Sequence, residues 1–408
     1  MEKIAIIGNG CASVACFKAM RSCGYDGELH VFAKDGGAVY NPMLTTYYAS
    51  SRIGWEIMFP YGCGNEIYDR YGVTLHEHSA VTALSVKNRS LTTEAGEFDF
   101  TKCLIATGAS PLVPPFPGSD LPQVYVMRTA ADAVKLRGAM EKKPRRALVV
   151  GASMVGVKLV EMFRQMGLEV TLADMAPHIF PLAAHAETAH RIESRLEGMG
   201  VALRFDAAID RAEAATGGIR AWFKGIAEPV EADILLMCIG VRANIGFVNG
   251  DEIPVDKGVL VDARMEAGAP GIYAAGDAAQ GRNIQTGRNE IIGLLANARR
   301  QGTAAGRNMA GVPCELPGEV LHNITHFMGI DFIGIGNVRD YDRAEAREDS
   351  GCFRQIFYKN GAVVGANFID LYENSGVFKT AFVRDLIRGR TAGNPRITPV
   401  QAYLLKSM

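Results

Sequence analysis

Residues 4–13 read Ile4-Ala5-Ile6-Ile7-Gly8-Asn9-Gly10-Cys11-Ala12-Ser13. The short apolar, β-branched run suits a fully buried parallel strand. Gly8 permits a tight turn and Gly10 lets the backbone approach a phosphate. Cys11, Ala12 and Ser13 then open a helix whose first amides face that charge. Ser13 stands where the usual pattern has a third glycine, and it is small enough for close helix–strand packing. The same grammar returns at Ala147-Leu148-Val149-Val150-Gly151-Ala152-Ser153-Met154-Val155-Gly156. One glycine turn means little, because degenerate glycine patterns are common. Two in strand–helix contexts, joined by a Thr107-Gly108 turn and by Gly271-Ile272-Tyr273-Ala274-Ala275-Gly276-Asp277, predict two bound dinucleotides. A flavin and a nicotinamide are the natural pair, which predicts redox chemistry.

The bulk numbers agree with that class. The 408 residues suffice for two or three domains, and 48% hydrophobic with 21% charged residues is ordinary for a globular protein. A net charge of -1 gives no electrostatic case for nucleic acid or an anionic membrane. A local basic cluster, Arg384, Arg388, Arg390 and Arg396, reads either as a solvated helix face or as a patch for an acidic partner. No apolar run approaches the ~18 residues of a membrane span. Met1-Glu2-Lys3 leads straight into the first strand, leaving no room for a signal peptide, so the expected location is cytoplasmic.

After the first fingerprint a second strand is expected over 28–32, ending near an acid for the adenosine ribose. Ala33 holds the position some families give to that acid, and Asp35 is the nearest candidate, weighed against a plain turn aspartate. From here the chain resembles a known family. Arg21 to Asp35 resembles the first unit of ferredoxin and rubredoxin reductases, within the two-dinucleotide flavoprotein superfamily that includes glutathione reductase. Tyr40-Asn41-Pro42-Met43-Leu44 resembles its Tyr-x-Arg-Pro-x-Leu segment, and Lys102 to Pro111, carrying Thr107 and Gly108, its strand–turn. Gly271 to Asp277 resembles the last flavin motif. The resemblance covers most of residues 1–310 and is looser beyond. It implies FAD in the first unit, with Gly276 in the turn and Asp277 on the ribityl hydroxyls. The helix opened by Leu294-Leu295-Ala296 would aim its amides at the flavin N1–C2=O locus.

The resemblance also implies a nicotinamide cofactor on the second fingerprint. Ser153 in place of its central glycine is expected to crowd the pyrophosphate and lower affinity. Glu169 to Ala173 reads as the next strand and ends at Asp174, an acid that favours a free ribose 2′-hydroxyl over a 2′-phosphate, hence NADH. Met237 to Asn244 resembles the strand returning to the flavin domain, with Gly240 suited to close approach at the nicotinamide end and Ala243 replacing the usual proline. Many relatives pair a lysine after the Tyr-x-Arg-Pro segment with a glutamate on the second fingerprint helix, near the flavin N5. Here those positions fall at Thr46 and Lys158. Either Lys158 supplies the cation from the opposite element, making Thr46 and Lys158 the candidate catalytic pair, or the site has drifted and Lys158 faces solvent.

Other residues invite weaker readings. Disulfide reductases of the superfamily need a Cys-x4-Cys pair against the flavin, yet Pro42 to Trp55 carries no cysteine. Cys11 and Cys16 have the right spacing in the wrong place and read as turn and packing residues. Cys63 lies between Gly62 and Gly64 and is a minor candidate for a functional thiol. The eight cysteines form no pair of CxxC units, and no metal is expected. His322 and His326 are four apart, which suits a metal only on one helix. His326 and Phe327, or Tyr47 and Tyr48, are candidates for the flavin ring environment, against ordinary core packing.

Pro313 and Pro317 mark a boundary, after which alternating apolar runs, a Lys359-Asn360-Gly361 turn and a helix over about 375–388 predict a small α+β domain. The expected fold is α/β, with two Rossmann-type domains, the second inserted in the first, and a C-terminal α+β domain. The boundaries are 1–111 with 234–312 for FAD, 112–233 for NAD, and 313–408 for an interface domain. The resemblance implies NADH-dependent reduction of FAD and electron delivery to a small iron–sulfur carrier, ferredoxin or rubredoxin, serving an oxygenase. Two alternatives stand beside it: direct reduction of a small molecule such as a quinone or dioxygen, and a non-catalytic flavoprotein that senses NADH. A homodimer is left open, with neither nucleic acid nor membrane as partner.

Overall fold

The computed structural model describes residues 2–387. Eight α-helices run through them: α1 (Cys11–Ser22), α2 (Thr45–Ala49), α3 (Glu66–Tyr71), α4 (Ala130–Glu141), α5 (Met154–Gln165), α6 (Ala186–Gly198), α7 (Leu295–Met309) and α8 (Tyr372–Ile387). The described residues divide into two compact units, residues 2–41, 54–110 and 241–319, and residues 42–53, 111–240 and 320–387.

In the first unit five parallel strands lie in the order Ile272–Ala274, Lys102–Ile105, Lys3–Ile7, Glu28–Phe32, Val73–His76. Lys3–Ile7 is central, and Ile4, Ala5 and Ile6 are wholly buried because neighbours flank the strand on both sides. One cover of the sheet is built from α1 and α7, which touch backbone to backbone. A Cβ on Gly302 would lie 2.2 Å from the Ala12 carbonyl oxygen, and one on Gly306 would lie 2.3 Å from that of Cys16. Only glycine permits this approach.

In the second unit five parallel strands follow the order Val201–Arg204, Glu169–Ala173, Arg146–Val150, Ile234–Met237, Val124–Val126. The expected boundary at 233/234 is therefore displaced. Ile234–Met237 pairs along Arg146–Val150, Leu235 opposite Leu148, so it completes this sheet instead of opening the flavin domain. The C-terminal residues also differ from expectation. Their antiparallel sheet, ordered His322–Phe327, Ile330–Gly336, Ala362–Ile369, Cys352–Lys359, Arg343–Asp349, shares a core with the inserted nucleotide fold. Phe180 stacks on Phe332 at 4.8 Å and meets Phe327 edge-on at 5.6 Å. Asn367, fully buried, donates to the Ala183 carbonyl and accepts from the His185 amide. Apolar burial and satisfied polar groups bind these segments into one body. Residues 42–53 join it, and 313–319 stay with the first unit. The predicted final helix is present as α8; Arg388, Arg390 and Arg396 lie outside the described residues.

Candidate functional site

The first fingerprint folds as its residues dictate. Gly8 sits at φ +105, and a Cβ there would lie 2.3 Å from the Ala106 carbonyl oxygen, so glycine is obligatory on both counts. Gly10 is the N-cap of α1 with no side-chain hydrogen bond, and a Cβ at that position would meet nothing within 4 Å. The result is an uncapped helix N-terminus facing open space, the condition for an anion to approach its amides. Ser13 is fully buried and its hydroxyl donates to the Gly8 carbonyl at 2.7 Å. The serine thus ties the turn shut where a third glycine would only have fitted. Asn9, unassigned by the sequence reading, accepts from the Tyr68 hydroxyl at 2.7 Å and donates to the Gly37 carbonyl at 3.1 Å, fixing the loop after the second strand. Asp35 lies exposed on that loop. The acid engaged with it is Glu77, which accepts from the Gly37 amide at 2.5 Å. Only the folded sheet brings Glu77 there.

Thr107 and Gly108 close a second turn of the same unit. The Thr107 hydroxyl donates to the Asn244 carbonyl at 2.6 Å, and the Asn244 amide N–H donates to the Gly108 carbonyl at 3.0 Å. Gly276, at φ +75, donates its N–H to the buried Gln301 side chain at 2.8 Å, which aligns the Gly276–Ala278 turn with α7. Asp277 sits half-buried in that turn. Leu294 caps α7 without a side-chain hydrogen bond, and Ala296 lies exposed in the first turn of this helix. Cys11 feels both Arg299 and Asp277; burial pushes its thiol up, Arg299 opposing. Cys16 is wholly buried, 3.9 Å from the Met309 sulfur, and desolvation pushes its thiol well above the usual range. Both are packing residues and neither is poised as a nucleophile.

The second fingerprint is built the same way with one substitution. Gly151 has φ +114, and a Cβ would collide with the Cys238 backbone at 2.4 Å; a Cβ on Gly156 would lie 2.0 Å from the Gly151 carbonyl oxygen. Ser153 caps α5: its hydroxyl accepts from the Gly156 amide at 3.3 Å and donates to the Cys238 carbonyl at 2.9 Å. The hydroxyl is thereby turned into the protein's own turn. Asp174, at the end of Glu169–Ala173, accepts from the Ala152 amide at 2.6 Å and from the Ala176 amide at 2.8 Å. Its carboxylate is thereby held beside the glycine turn. Gly240 has φ +119 with open space where a Cβ would stand, and its carbonyl accepts from Leu112.

Lys158 does not simply point to solvent, the second of its two readings: its ammonium is partly exposed and has partners within the chain. It donates to the Glu161 carboxylate and to the His326 carbonyl, each at 2.5 Å, and lies 5.7 Å from the Tyr47 ring centroid. Buried Glu161 in turn accepts from the Met328 amide at 2.9 Å. The pair therefore clamps α5 to the His322–Phe327 hairpin. Tyr47, and not Thr46, is the α2 residue that meets the amine; the Thr46 carbonyl accepts from Ser50 within the helix. Arg137 lies over Tyr48 at 4.6 Å, so both tyrosines are engaged within this unit.

The residues of the strand His322–Phe327 have partners within the chain. Phe327 is fully buried in the shared core and is not a flavin-stacking residue. His326 is paired with Asp331 at 2.7 Å, and His322 bonds the Val320 carbonyl and the Lys379 amine. Both sit on a strand, and among the described residues no group of three or more His, Cys, Asp and Glu could hold a metal. No helix of the described residues is long and apolar enough to cross a membrane. Cys63 is exposed.

Comparison with known proteins gives the same picture. The chain is 29% identical over 405 residues to the epsilon subunit of an NADH-dependent phenylglyoxylate dehydrogenase from Aromatoleum evansii, covering 96% of this chain and 95% of that one. It is 23% identical to the rubredoxin-NAD(+) reductase of Pseudomonas putida, over 91% of this chain and 97% of that one. Its fold matches the water-forming NADH oxidase from Lactobacillus brevis at a TM-score of 0.89 and 19% identity, over 100% and 98% of the two chains. The family model for pyridine nucleotide-disulphide oxidoreductases matches residues 2–302. The chain belongs to the pyridine nucleotide-disulphide oxidoreductase family and is an FAD-dependent NAD(P)H oxidoreductase.

Proposed function

We propose that the chain takes hydride from NADH onto FAD and passes the electrons to a small iron–sulfur carrier of the ferredoxin or rubredoxin type. The carrying observation is a complete pair of dinucleotide turns in a chain whose Pro42 to Trp55 stretch has no cysteine. Without a dithiol at that place, electrons leave by a route other than disulfide exchange. The donors of the first unit fit FAD: the turn of Gly8, Gly10 and Ser13 with the N-terminus of α1 for the pyrophosphate, Asp277 for the ribityl hydroxyls, and the first amides of α7 near Ala296 for the flavin's N1–C2=O edge. The turn of Gly151, Ser153 and Gly156 takes the pyrophosphate of NADH, Asp174 its adenosine ribose, and Gly240 gives backbone room at the nicotinamide end. When bound, FAD supplies the hydride acceptor and the store from which electrons leave. The protein positions the cofactors and fixes their electrostatics. Lys158 is a positioning residue on this reading, holding α5 in place through Glu161.

A second reading is favoured by the Aromatoleum relative, aligned nearly end to end: the chain would be the NADH-handling subunit of a larger dehydrogenase. Anaerobic stopped-flow mixing with NADH and with NADPH, followed by mixing of the reduced protein with ferredoxin, rubredoxin, a quinone or dioxygen, separates the carrier reading from the small-molecule and sensor alternatives, and co-purification of further subunits with the chain from its native source tests the subunit reading. Fast bleaching with NADH and fast reoxidation by an iron–sulfur protein support the carrier reading. Fast reoxidation by the quinone or dioxygen alone replaces it with a direct small-molecule reductase. Bleaching by neither nucleotide overturns it in favour of a sensor.

A further inference from the structure

The two nucleotide folds share a fixed point at the glycine turn. The Gly8 amide donates to the Phe32 carbonyl at 2.8 Å, and the Gly151 amide donates to the Ala173 carbonyl at 2.7 Å. Phe32 and Ala173 each end the second strand of their fold, so Ala33 is the counterpart of Asp174. The third strands correspond in the same way. Ala33 donates its amide to the His76 carbonyl at 2.9 Å, and Asp174 donates its amide to the Arg204 carbonyl at 2.9 Å. His76 and Arg204 end those strands, which makes Glu77 the counterpart of Phe205. One fold therefore carries Asp174 beside Phe205 and the other Ala33 beside Glu77. The acid has changed strands.

The side chain of Ala33 is a buried methyl group and can accept no hydrogen bond. Glu77 reaches the same place from the next strand. Its Oε1 accepts from the Gly37 amide at 2.5 Å, on the loop after the second strand. The Gly37 carbonyl in turn accepts at 3.1 Å from Asn9, the residue between Gly8 and Gly10. Gly37 thus links the carboxylate to the phosphate turn, much as Asp174 links the Ala152 amide of its turn to the Ala176 amide of its loop. Burial, with the charge of Glu77 adding to it, pushes the Tyr68 phenol up to about 12, and that phenol donates to Asn9 at 2.7 Å. The carboxylate therefore lies by the turn. Glu77 is exposed, and its Oε2 has no hydrogen bond among the described residues.

We propose that Glu77 binds the adenosine ribose of FAD, taking over from the third strand the task that a nucleotide fold of this kind gives to an acid at the end of its second. A carboxylate that accepts from a ribose hydroxyl makes a charge-assisted hydrogen bond, stronger than a neutral one. The proposal rests on the reading that FAD occupies the first fingerprint.

Fluorescence-quenching titration of the full-length apoprotein with FAD and with its 2′,3′-dideoxyadenosine analogue, which lacks both ribose hydroxyls, tests it. The parent is expected to bind FAD about tenfold or more tightly than the analogue. In Glu77→Ala that preference should disappear. Loss of the Gly37 tie alone would weaken both ligands alike and leave the preference intact, so the ratio isolates the ribose contact. Glu77→Gln keeps an acceptor for Gly37 without the charge and should lower the preference too. Far-ultraviolet circular dichroism checks that each variant is folded, as expected for an exposed side chain. A preference that survives in both Glu77 variants, or that Asp35→Ala abolishes instead, would overturn the proposal. A parent that binds FAD and the analogue equally would overturn it and leave the FAD reading standing, whereas a parent that binds neither would overturn both.

Discussion

Substituting Gly302 by alanine tests whether the contact between α1 and α7 sets the cofactor turn. The new Cβ would stand 2.2 Å from the Ala12 carbonyl oxygen and 2.8 Å and 2.9 Å from two further backbone atoms of the same residue. Ordinary contact begins at 3.4 Å, so the two helices must part by about 1.2 Å, the difference between 3.4 and 2.2. The clash is with backbone, and no side-chain rotation relieves it. Ala12 is the second residue of α1, so the displacement falls on Gly10 and Ser13, whose hydroxyl holds the Gly8 carbonyl. Overpacking of this kind costs about 1–3 kcal/mol. If most of it is felt in the FAD-loaded state, flavin affinity drops roughly 5- to 150-fold, at 1.4 kcal/mol per decade. The assay is fluorescence-quenching titration of apoprotein with FAD. Gly138→Ala serves as control: it sits inside α4 with nothing within 4 Å of the added methyl, and it should leave flavin affinity alone while adding up to ~1 kcal/mol of helix stability. A Gly302→Ala protein that binds FAD as tightly as the parent refutes the reasoning.

Other perturbations follow from the same geometry. Lys158→Ala strips the buried Glu161 carboxylate of its cation and should cost about 1–3 kcal/mol, less than a fully buried pair because the lysine is partly exposed; the melting temperature should fall with little change in the rate of flavin reduction by NADH. A tenfold slower rate at an unchanged melting temperature would instead make the amine catalytic. Asp174→Ala should weaken NADH and narrow its advantage over NADPH, read as kcat/KM for the two nucleotides, whereas an unaltered ratio would remove Asp174 from the ribose site. His76 is held below its ordinary 6.5 by burial and by neighbouring His30, 3.1 Å away. The fold therefore favours the neutral ring, and its contribution is complete above about pH 6.5 and declines as the pH falls through the lowered folded value. Melting temperature measured from about pH 7.5 to 5 should drop less steeply for His76→Gln than for the parent, and parallel curves would contradict the assignment.

What the sequence determined by itself was local. In each fingerprint a buried strand, a glycine at positive φ and a helix start lie within ten residues, and the backbone freedom each glycine must supply is a property of that short stretch. The family follows from the order of such stretches, as does the absence of a dithiol between Pro42 and Trp55. Tertiary structure decided whatever depends on a partner far along the chain. The apolar strand Ile234–Met237 reads identically for either sheet, and only its pairing with Arg146–Val150 assigns it. The Ser153 hydroxyl and the Lys158 amine have no partner legible in the sequence; the fold supplies the Cys238 carbonyl for the one and Glu161 and the His326 carbonyl for the other. Phe327 resembled a ring-stacking residue, yet Phe180 and Phe332 bury it. Apolar attraction is non-directional, so hydrophobic pattern says that a residue is buried and not against what; hydrogen-bond partners are fixed only when the packed chain brings their atoms within three ångströms.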